Sequence, residues 1–437
     1  MSTPALAFVS VFLSLVLGQH PVEVAVSDAV HSVEILLDDR LVGTLDAPPW
    51  RLDCDFGPSL EPHRLEAVAY DGEDEEIARV TQWINLPQPA ADASVIIERE
   101  PDGGTFARLN WVNVVQSPPT AIRFSFDGQP LEFTDPRRIP LPDHDLEQLH
   151  FLRAEIEFPH GVSTLVEATF GGSFSDQISA ELTALPIHVE DGRKPPKVDE
   201  IRSWFRSARG EARVAALDKG PAEIVIIRDQ DVQERLEMLS WQRRSAAPTG
   251  GAAAYASRFS DRLKTDQSIG LLWPFMQLNE TGVWTFPPTY GWLSSRDGGV
   301  AWFLKNFRPV VTEIEKQQLA DAVAVAGMNA LSRNRRRAVV LILGERPADS
   351  SSLSPAMARD YLADLRVPLH VWSPFEHPDS PWGEVEDISN PSRFRSVVKQ
   401  LSGSVDRQRI VWFEGRHLPQ EIELAADVPG VSLVFMQ

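Results

Sequence analysis

One alternating pattern occurs twice in the first half of the chain, and it constrains the fold more than any other sequence feature. The segment Val33–Asp39 is matched 89 residues later by Ile122–Gly128. Within each copy apolar residues recur with period two, at Leu65, Ala67 and Ala69 in the first and at Ala154, Ile156 and Phe158 in the second. The same offset relates Leu52 to Leu141, Glu66 to Glu155 and Gly72 to Gly161. Alternation with period two predicts strands with one buried face, and pairs such as Asp127-Gly128 are typical of hairpin turns. The sequence therefore predicts two antiparallel β-sandwiches, at residues 22–87 and 93–188.

The first copy also resembles the bacterial immunoglobulin-like modules of secreted and surface proteins. The resemblance lies in three stretches, Val33–Thr44, Pro49–Asp55 and His63–Gly72. It implies an immunoglobulin-like β-sandwich and says nothing about a ligand.

The second half of the chain has a different period. Beyond the charged boundary at Glu190–Lys197, apolar runs such as Glu223–Ile227 and Ala338–Leu343 indicate buried strands, and Val310–Leu331 has the spacing of a helix with one apolar face. Further segments predicted here are a helix opened by Ser354-Pro355 and closing strands at Ile410–Phe413 and Val431–Phe435. Buried strands that alternate with helices predict an α/β domain at residues 198–437, with a mainly parallel sheet covered on both faces.

This second half resembles the von Willebrand factor A domain, most closely over Leu319–Ser373. That stretch reads as a helix with Leu-Ala-Asp-Ala-Val, an arginine-rich end, the strand Ala-Val-Val-Leu-Ile-Leu, a serine-rich loop, a second helix and Val-Pro-Leu-His-Val-Trp. Together with the β-modules, it resembles exported bacterial von Willebrand factor A-related proteins. The resemblance implies a divalent-metal adhesion site built from Asp-x-Ser-x-Ser after the first strand, a Thr before a later helix and an Asp after the central strand. Such oxygen ligands suit a hard cation, which leaves a position open for a partner's carboxylate.

The first of these metal motifs is altered in this chain. It falls at Arg228–Gln233 and can be read in two registers. In one register Arg228 replaces the Asp and would repel a cation. In the other, Asp229 and Asp231 remain as oxygen ligands and Gln233 replaces the second Ser.

The two remaining metal positions are altered as well. The Thr position falls near Gln317, and the position of the Asp after the central strand is Gly344. At least three of the five ligands therefore differ in either register. We expect that the metal site has been lost, that no cofactor is bound, and that Asp229 and Asp231 are relics of it.

Aromatic residues are concentrated in one stretch of the α/β half. They are Trp273, Phe275, Trp284, Phe286, Tyr290, Trp292, Trp302, Phe303 and Phe307. The rings either pack the edge of the sheet and seat the β-domains, or form a partner-binding surface, since rigid aromatic side chains are favoured interface anchors. Trp284 and Trp292 are the candidate partner-binding residues, because each lies beside glycine or proline in loop-like sequence.

A second unusual cluster is basic. Arg333, Arg335, Arg336 and Arg337 follow the predicted helix and either hold an anion or complement the carboxyl end of that helix.

The apolar run Ala5–Leu17 at the amino terminus is too short to span a bilayer comfortably, and its length suits a cleaved signal peptide, residues 1–18. No Lys or Arg precedes the run, so an uncleaved anchor and a buried first strand or helix remain alternatives. We expect an exported protein without a further transmembrane segment. Its lone cysteine, Cys54, cannot form an intramolecular disulfide.

Charge and motifs narrow the function. A formal charge of −20 argues against nucleic acid as a partner. The sequence contains no P-loop, nucleophile elbow, HExxH or Rossmann fingerprint. We therefore expect a non-enzymatic adhesion or scaffolding protein that binds a protein partner. The alternative is an enzyme or enzyme-accessory protein of carbohydrate-active type that uses the aromatic stretch, 273–307, as a sugar platform; hydrolysis would require two facing carboxylates.

Overall fold

The computed structural model describes residues 6–434 except 11, 13, 28, 88–90, 100–104, 114–117, 145–148, 160–162, 172–181, 191–195, 208–209, 240–261, 279–283, 287–292, 295–298, 307–315 and 425–427.

The first β-sandwich consists of two antiparallel sheets. One sheet has the order β1-β2-β5, with β1 (Leu6–Phe8), β2 (Gln19–Val26) and β5 (Arg51–Asp55). The other has the order β4-β3-β6-β7, with β3 (Ser32–Leu37), β4 (Arg40–Leu45), β6 (His63–Tyr70) and β7 (Glu76–Ile84). Alternate side chains of both sheets, among them Val22, Ile35 and Leu65, form one core, and Cys54 is buried in it.

The second β-sandwich has the same plan. Its smaller sheet has the order β12-β9-β8, with β8 (Ala91–Arg99), β9 (Thr105–Asn113) and β12 (Ile139–Pro140). Its larger sheet has the order β11-β10-β13-β14, with β10 (Ala121–Phe126), β11 (Gln129–Leu131), β13 (Leu149–Glu157) and β14 (Ser163–Gly171). Phe124, Leu152 and Ala154 lie in the core between the sheets.

The two predicted hairpin turns occupy the same place in the two larger sheets. Asp38-Asp39 joins β3 to β4, and Asp127-Gly128 joins β10 to β11. All four residues have positive φ, at 50°, 66°, 47° and 77°, which a two-residue turn of this kind requires at both central positions. An aspartate tolerates that conformation because its short side chain can bond to nearby backbone.

Each turn is held by the same clasp. Asp38 accepts hydrogen bonds from His63 Nδ1 at 2.7 Å and from Arg64 N at 2.8 Å. Asp127 accepts hydrogen bonds from His150 Nδ1 at 2.8 Å and from Phe151 N at 2.8 Å. The turn aspartate therefore fixes the hairpin onto the next strand of the sheet in both copies.

The offset between the copies is not constant, in contrast to the expectation. It is 89 residues at the turns but 87 between His63 and His150. Glu66 consequently lies opposite Leu36, whereas Glu155 lies opposite Arg123, so the two glutamates are not equivalent. A shift of two residues leaves every side chain on its original face of the sheet, which is why the alternating pattern did not reveal it.

Part of the apolar run at the amino terminus forms the short strand β1 (Leu6–Phe8) of the first β-sandwich. β1 pairs with the end of β2, and both Leu6 and Val16 are buried in the first core. Asn85 accepts a hydrogen bond from Val16 N at 2.7 Å and donates to Val16 O at 2.8 Å. The signal-peptide interpretation of this run stays a prediction.

The chain next forms β15 (Leu182–Val189), α1 (Val198–Ile201), β16 (Phe205–Ser207), β17 (Gly210–Glu211) and β18 (Val214–Asp218). The strands of the parallel-sheet region are β19 (Ala222–Arg228), β20 (Gln267–Leu272), β21 (Gln277–Leu278), β22 (Trp284–Thr285), β23 (Leu293–Ser294), β24 (Arg336–Ile342), β25 (Leu369–Ser373) and β26 (Glu386–Asp387). Its helices are α2 (Gln233–Leu239), α3 (Val300–Asn306), α4 (Leu319–Ser332), α5 (Pro355–Asp364) and α6 (Pro391–Arg407). The predicted helix start at residue 310 falls outside the described residues.

The central sheet has the order β23-β20-β19-β24-β25-β26. Five of its strands are parallel, and the edge strand β23 is antiparallel to β20. Ile224 and Ile226 face a core that includes α3 and α6, while Val225 and Ile227 face a second core under α4 and α5. The prediction of a parallel sheet buried on both faces is confirmed.

The end of the chain differs from the expectation. β27 (Gln408–Glu414) pairs with both β15 and β18, and β29 (Val431–Leu433) pairs with β15, in an antiparallel sheet of order β18-β27-β15-β29. β28 (Ile422–Leu424) pairs with β16. These closing strands therefore lie outside the parallel sheet to which the sequence pattern assigned them. A short apolar run shows that a strand is buried and does not identify the sheet it joins.

No helix in the described part of the chain has the length and apolar character needed to cross a membrane.

Candidate functional site

The candidate site lies at the carboxyl edge of the parallel sheet, between β19 and β24. The chain proceeds from β19 outward through β20 to β23, and from β24 outward through β25 to β26, so the strand order reverses between these two central strands. Such a switch point is where open α/β sheets bind ligands. Asp229 follows β19 directly, Gly344 lies just beyond β24, and Gln317 precedes α4.

These three residues meet around one carboxylate. Asp229 has no exposed surface. Its Oδ1 accepts hydrogen bonds from Gln317 Nε2 at 2.9 Å and from Asp231 N at 3.0 Å, and its Oδ2 accepts from Gly344 N at 3.1 Å. Burial raises the pKa of Asp229, because desolvation outweighs the three hydrogen bonds that favour the charged form. The structure therefore brings together the altered metal positions that were read from the sequence.

A loop after β24 fixes Gln317 in place. The backbone carbonyl of Gln317 accepts from Ser350 N at 2.8 Å and from Ser350 Oγ at 3.0 Å. Asp349 accepts from the first two backbone N–H groups of α4, at 2.9 and 3.2 Å, and thus caps the helix. The start of α4 is tied to the loop, and the Gln317 side chain beside it donates to Asp229.

Gly344 leaves no room for the side chain that the A-domain motif would place there. A Cβ atom on Gly344 would lie 2.9 Å from Asp229 Oδ2 and 2.9 Å from the Cβ of Asp231. Real Cβ atoms essentially never come that close. An aspartate at position 344 would therefore require both acidic residues to move.

The residues present do not fit a divalent cation. A metal ligand set would present lone pairs, whereas here three N–H groups already point at the oxygens of Asp229. Within the described ranges no group of three or more His, Cys, Asp or Glu side chains is placed to hold a metal ion. The neighbouring Arg228 is buried, and its Nη1 donates a hydrogen bond to Leu304 O at 2.5 Å. The Cζ of Arg228 lies 5.1 Å from the centroid of the Trp273 ring.

The aromatic stretch divides into two parts. Trp273, Phe275, Phe286 and Phe303 are buried, which agrees with the packing interpretation for these four rings. Trp284 belongs to the short strand β22, where it pairs with Leu278, and Trp292 lies outside the described residues. The partner-binding interpretation of Trp284 and Trp292 stays a prediction.

The buried carboxyl groups found in the described residues each have their own partners. Glu66 accepts from Arg64 Nε at 3.1 Å, Glu223 pairs with Arg333 and Arg335, and Asp229 is held as described above. The bonds of Glu223 and Asp229 join residues far apart in the sequence, so the sequence pattern does not indicate them, whereas Arg64 and Glu66 lie two positions apart on β6.

No protein-family model and no curated protein matches the chain. Among solved structures, it is similar to the fibronectin(III)-like modules of Clostridium thermocellum CbhA, with 18% identity over 18% of this chain and 92% of that one and a TM-score of 0.16. It is similar to the central fibronectin-III array of RIM-binding protein, with 10% identity over 46% and 81% of the two chains and a TM-score of 0.22. It is also similar to the human COPII-coat protein Sec24c, with 12% identity over 46% of this chain and 40% of that one and a TM-score of 0.24. The chain spans 25% of a further match, a β-glycosidase from Bacteroides vulgatus. At these TM-scores the similarities carry no functional information.

Proposed function

We propose that this chain is an exported, non-enzymatic protein-interaction protein, acting in adhesion or as a scaffold. In this proposal two immunoglobulin-like modules precede a von Willebrand factor A-type domain whose metal-dependent adhesion site has been lost. The partner is a protein, bound without a metal or other cofactor.

The observation that carries the A-domain part of the proposal is the meeting of Asp229, Gln317 and Gly344. The motif assigned these positions from sequence alone, although 88 residues separate the first two. They come together at the switch point of the sheet, as the motif requires. Convergence of all three positions supports an A-type ancestry, and the amide of Gln317 against Asp229 supports loss of the metal.

Binding is assigned to the aromatic stretch, because a domain without the metal lacks the charge that captures a partner's carboxylate. Buried area and rigid anchors must then supply the affinity. We expect Trp284→Ala or Trp292→Ala to weaken partner capture by about 2 kcal/mol or more while leaving the unfolding midpoint close to that of the unmodified protein.

A pull-down with the purified exported protein tests this assignment. Capture of the partner should persist in EDTA and decrease in both tryptophan variants, whereas Trp50→Ala, in the first β-sandwich, should behave as the unmodified chain. Capture that disappears in EDTA would contradict the proposal, as would tryptophan variants that bind normally or that unfold.

The proposal of export rests on the apolar run Ala5–Leu17. Whether residues 1–18 are cleaved or retained can be tested, and it decides whether Val16 remains to contact Asn85. Removal of residues 1–18 would leave Asn85 without both of its bonds to Val16. The intact mass of the protein recovered from the periplasm or medium distinguishes a cleaved from a retained segment. Recovery of the protein from the cytoplasm alone would contradict export.

A further inference from the structure

A large cleft lies on the opposite side of the molecule from the switch-point site. It has a volume of about 870 Å³ and is lined by the end of β7, the outer face of β13 and β14, the start of β15, the end of α4 and the loop that begins at Arg416. Arg335 precedes β24, whereas Gly344 follows it, so the length of that strand, about 20 Å, separates the cleft from the candidate site. A cleft of this volume accommodates a ligand of drug or short-peptide size.

Contacts between the two halves of the chain hold the walls of the cleft. Tyr361 donates a hydrogen bond to Asn85 O at 2.6 Å, and Gln420 Nε2 donates to Pro62 O at 2.8 Å. Leu60 of the first β-sandwich packs in the core under α4 and α5. The first β-sandwich and the parallel-sheet region, which each supply part of the lining, therefore pack and hydrogen-bond to each other.

The charge of the cleft is opposite to that of the whole protein. Four arginines line it, Arg153, Arg333, Arg335 and Arg416, and the one acidic residue among the described lining residues, Glu155, accepts a hydrogen bond from Arg123 at 3.1 Å. The chain as a whole carries a formal charge of −20. A local positive region in a concave surface concentrates the field and attracts anionic groups.

Two of these arginines are hydrogen-bonded to one buried glutamate. Glu223 is buried, and its Oε1 accepts from Arg333 Nη1 at 3.3 Å and from Arg335 Nη1 at 2.5 Å. The arginine side chains remain 48% and 35% exposed. One carboxylate between two guanidinium groups leaves a net positive charge, and a guanidinium has five N–H donors, so each can also bond to a ligand.

Arg416 contributes the third charge from a fixed loop. Thr183 Oγ1 accepts from the backbone N–H of His417 at 2.9 Å and donates to Gly415 O at 2.9 Å, which ties down both neighbours of Arg416. The side chain of Arg416 is exposed, and it has no ion-pair partner among the described residues. It is therefore available to a ligand without loss of a structural bond.

The cleft also offers apolar surface. Leu165 on β14 is 42% exposed and lies in the lining together with Met328 of α4. A ligand that combines carboxylates with apolar side chains complements both features, whereas a small inorganic anion would fill only a fraction of the volume. We propose that this cleft binds an acidic peptide segment of a protein partner, with Arg335 and Arg416 as the carboxylate-binding residues.

This inference deepens the proposed function by giving the chemistry of one partner, and it concerns a different surface from the aromatic stretch. The test measures binding of a fluorescent acidic hexapeptide, ELDELE, to the full chain by anisotropy at low and physiological salt. The neutral peptide QLNQLQ is the control ligand. We expect binding of ELDELE only, weakened about tenfold by Arg416→Glu, which is the usual effect of losing a charged interface anchor, and weakened further by salt. Arg40→Glu, at an exposed arginine outside the cleft, should leave the affinity unchanged.

Equal binding of the two peptides, or an Arg416→Glu variant that binds ELDELE as tightly as the unmodified chain, would overturn the proposal. Binding of polyphosphate with no binding of ELDELE would overturn the assignment to peptides. Arg335→Lys, which keeps the charge beside Glu223, provides a second variant and should weaken binding less than Arg416→Glu. Because the peptide is measured directly, failure here leaves the pull-down with Trp284→Ala as an independent test of the proposed function.

Discussion

Replacing Gln317 with alanine tests whether its side-chain amide stabilises the switch-point site. The change removes one of the three N–H donors to Asp229, in a place where Asp229 has no exposed surface and water cannot replace the lost donor. A hydrogen bond to a buried charged group contributes about 1.5–3 kcal/mol. The longer bond that Gln317 accepts from Gln230 N, at 3.4 Å, adds little. With the loss of packing, we expect the free energy of unfolding to fall by about 2–4 kcal/mol at pH 7.

The same substitution should have a pH dependence of known sign. Burial already raises the pKa of Asp229 in the folded protein, and loss of a donor raises it further. A carboxyl group whose folded pKa lies above its unfolded value, about 4, lowers stability as the pH rises through that interval. The part of the loss that depends on the negative charge of Asp229 is therefore larger at pH 7 than at pH 4. The gap between Gln317→Ala and the unmodified protein should widen as pH increases.

Urea unfolding at pH 4 and pH 7 measures both effects. Gln318→Ala is the matched control, because Gln318 is the next residue and its side chain makes one long hydrogen bond, 3.5 Å, to Asp321. We expect the control to lose less than about 1 kcal/mol at either pH. If the two variants lose equal stability, or if the loss in Gln317→Ala does not change with pH, the reasoning about Asp229 is wrong.

Three further predictions concern metal, the turn clasp and the amino-terminal segment. Millimolar Mg²⁺ or Ca²⁺ should leave the thermal unfolding midpoint at its EDTA value, since a real site at about 100 times its Kd would add roughly 2.7 kcal/mol, and an upward shift would show that a cation binds. Burial lowers the pKa of His63, but the hydrogen bond and the charge of Asp38 together raise it above 6.5. The clasp therefore stabilises the fold below about pH 6.5, and this contribution is lost as the pH rises through the folded pKa. His63→Gln should therefore cost about 1 kcal/mol in urea unfolding at pH 6 and less at pH 9, and a loss independent of pH would refute this. Asn85→Ala removes two bonds to Val16 and one to Glu61 O and should cost about 2–4 kcal/mol in protein that retains the amino-terminal segment; a loss below about 1 kcal/mol would contradict the placement of that segment.

The contrast between the central strands of the parallel sheet and the closing strands shows what a sequence pattern can and cannot specify. The runs at β19 and β24 are buried on both faces, and their alternation with helices correctly predicted a parallel sheet. The run at β27 is also apolar, yet it pairs with β15, which precedes it by more than 200 residues. Pairing partners depend on hydrogen bonds between distant segments, and period alone contains no information about them.

The aromatic stretch makes the same point for a candidate site. The concentration of aromatic residues in the sequence identified the rings. It could not show that Trp273 and Phe275 are buried and do not belong to an exposed surface.

The sequence by itself determined the two turn aspartates, the two-faced parallel sheet and the positions 229, 317 and 344, because each follows from local period, turn chemistry or a short motif. The tertiary structure alone decided that Gln317 directs its amide at Asp229, that Glu223 holds Arg333 and Arg335 beneath a cleft, and that the closing strands join β15. Local pattern fixes which face of an element is buried. Only the folded chain fixes what lies against that face, because such contacts join residues that are about 90 or more positions apart in the sequence.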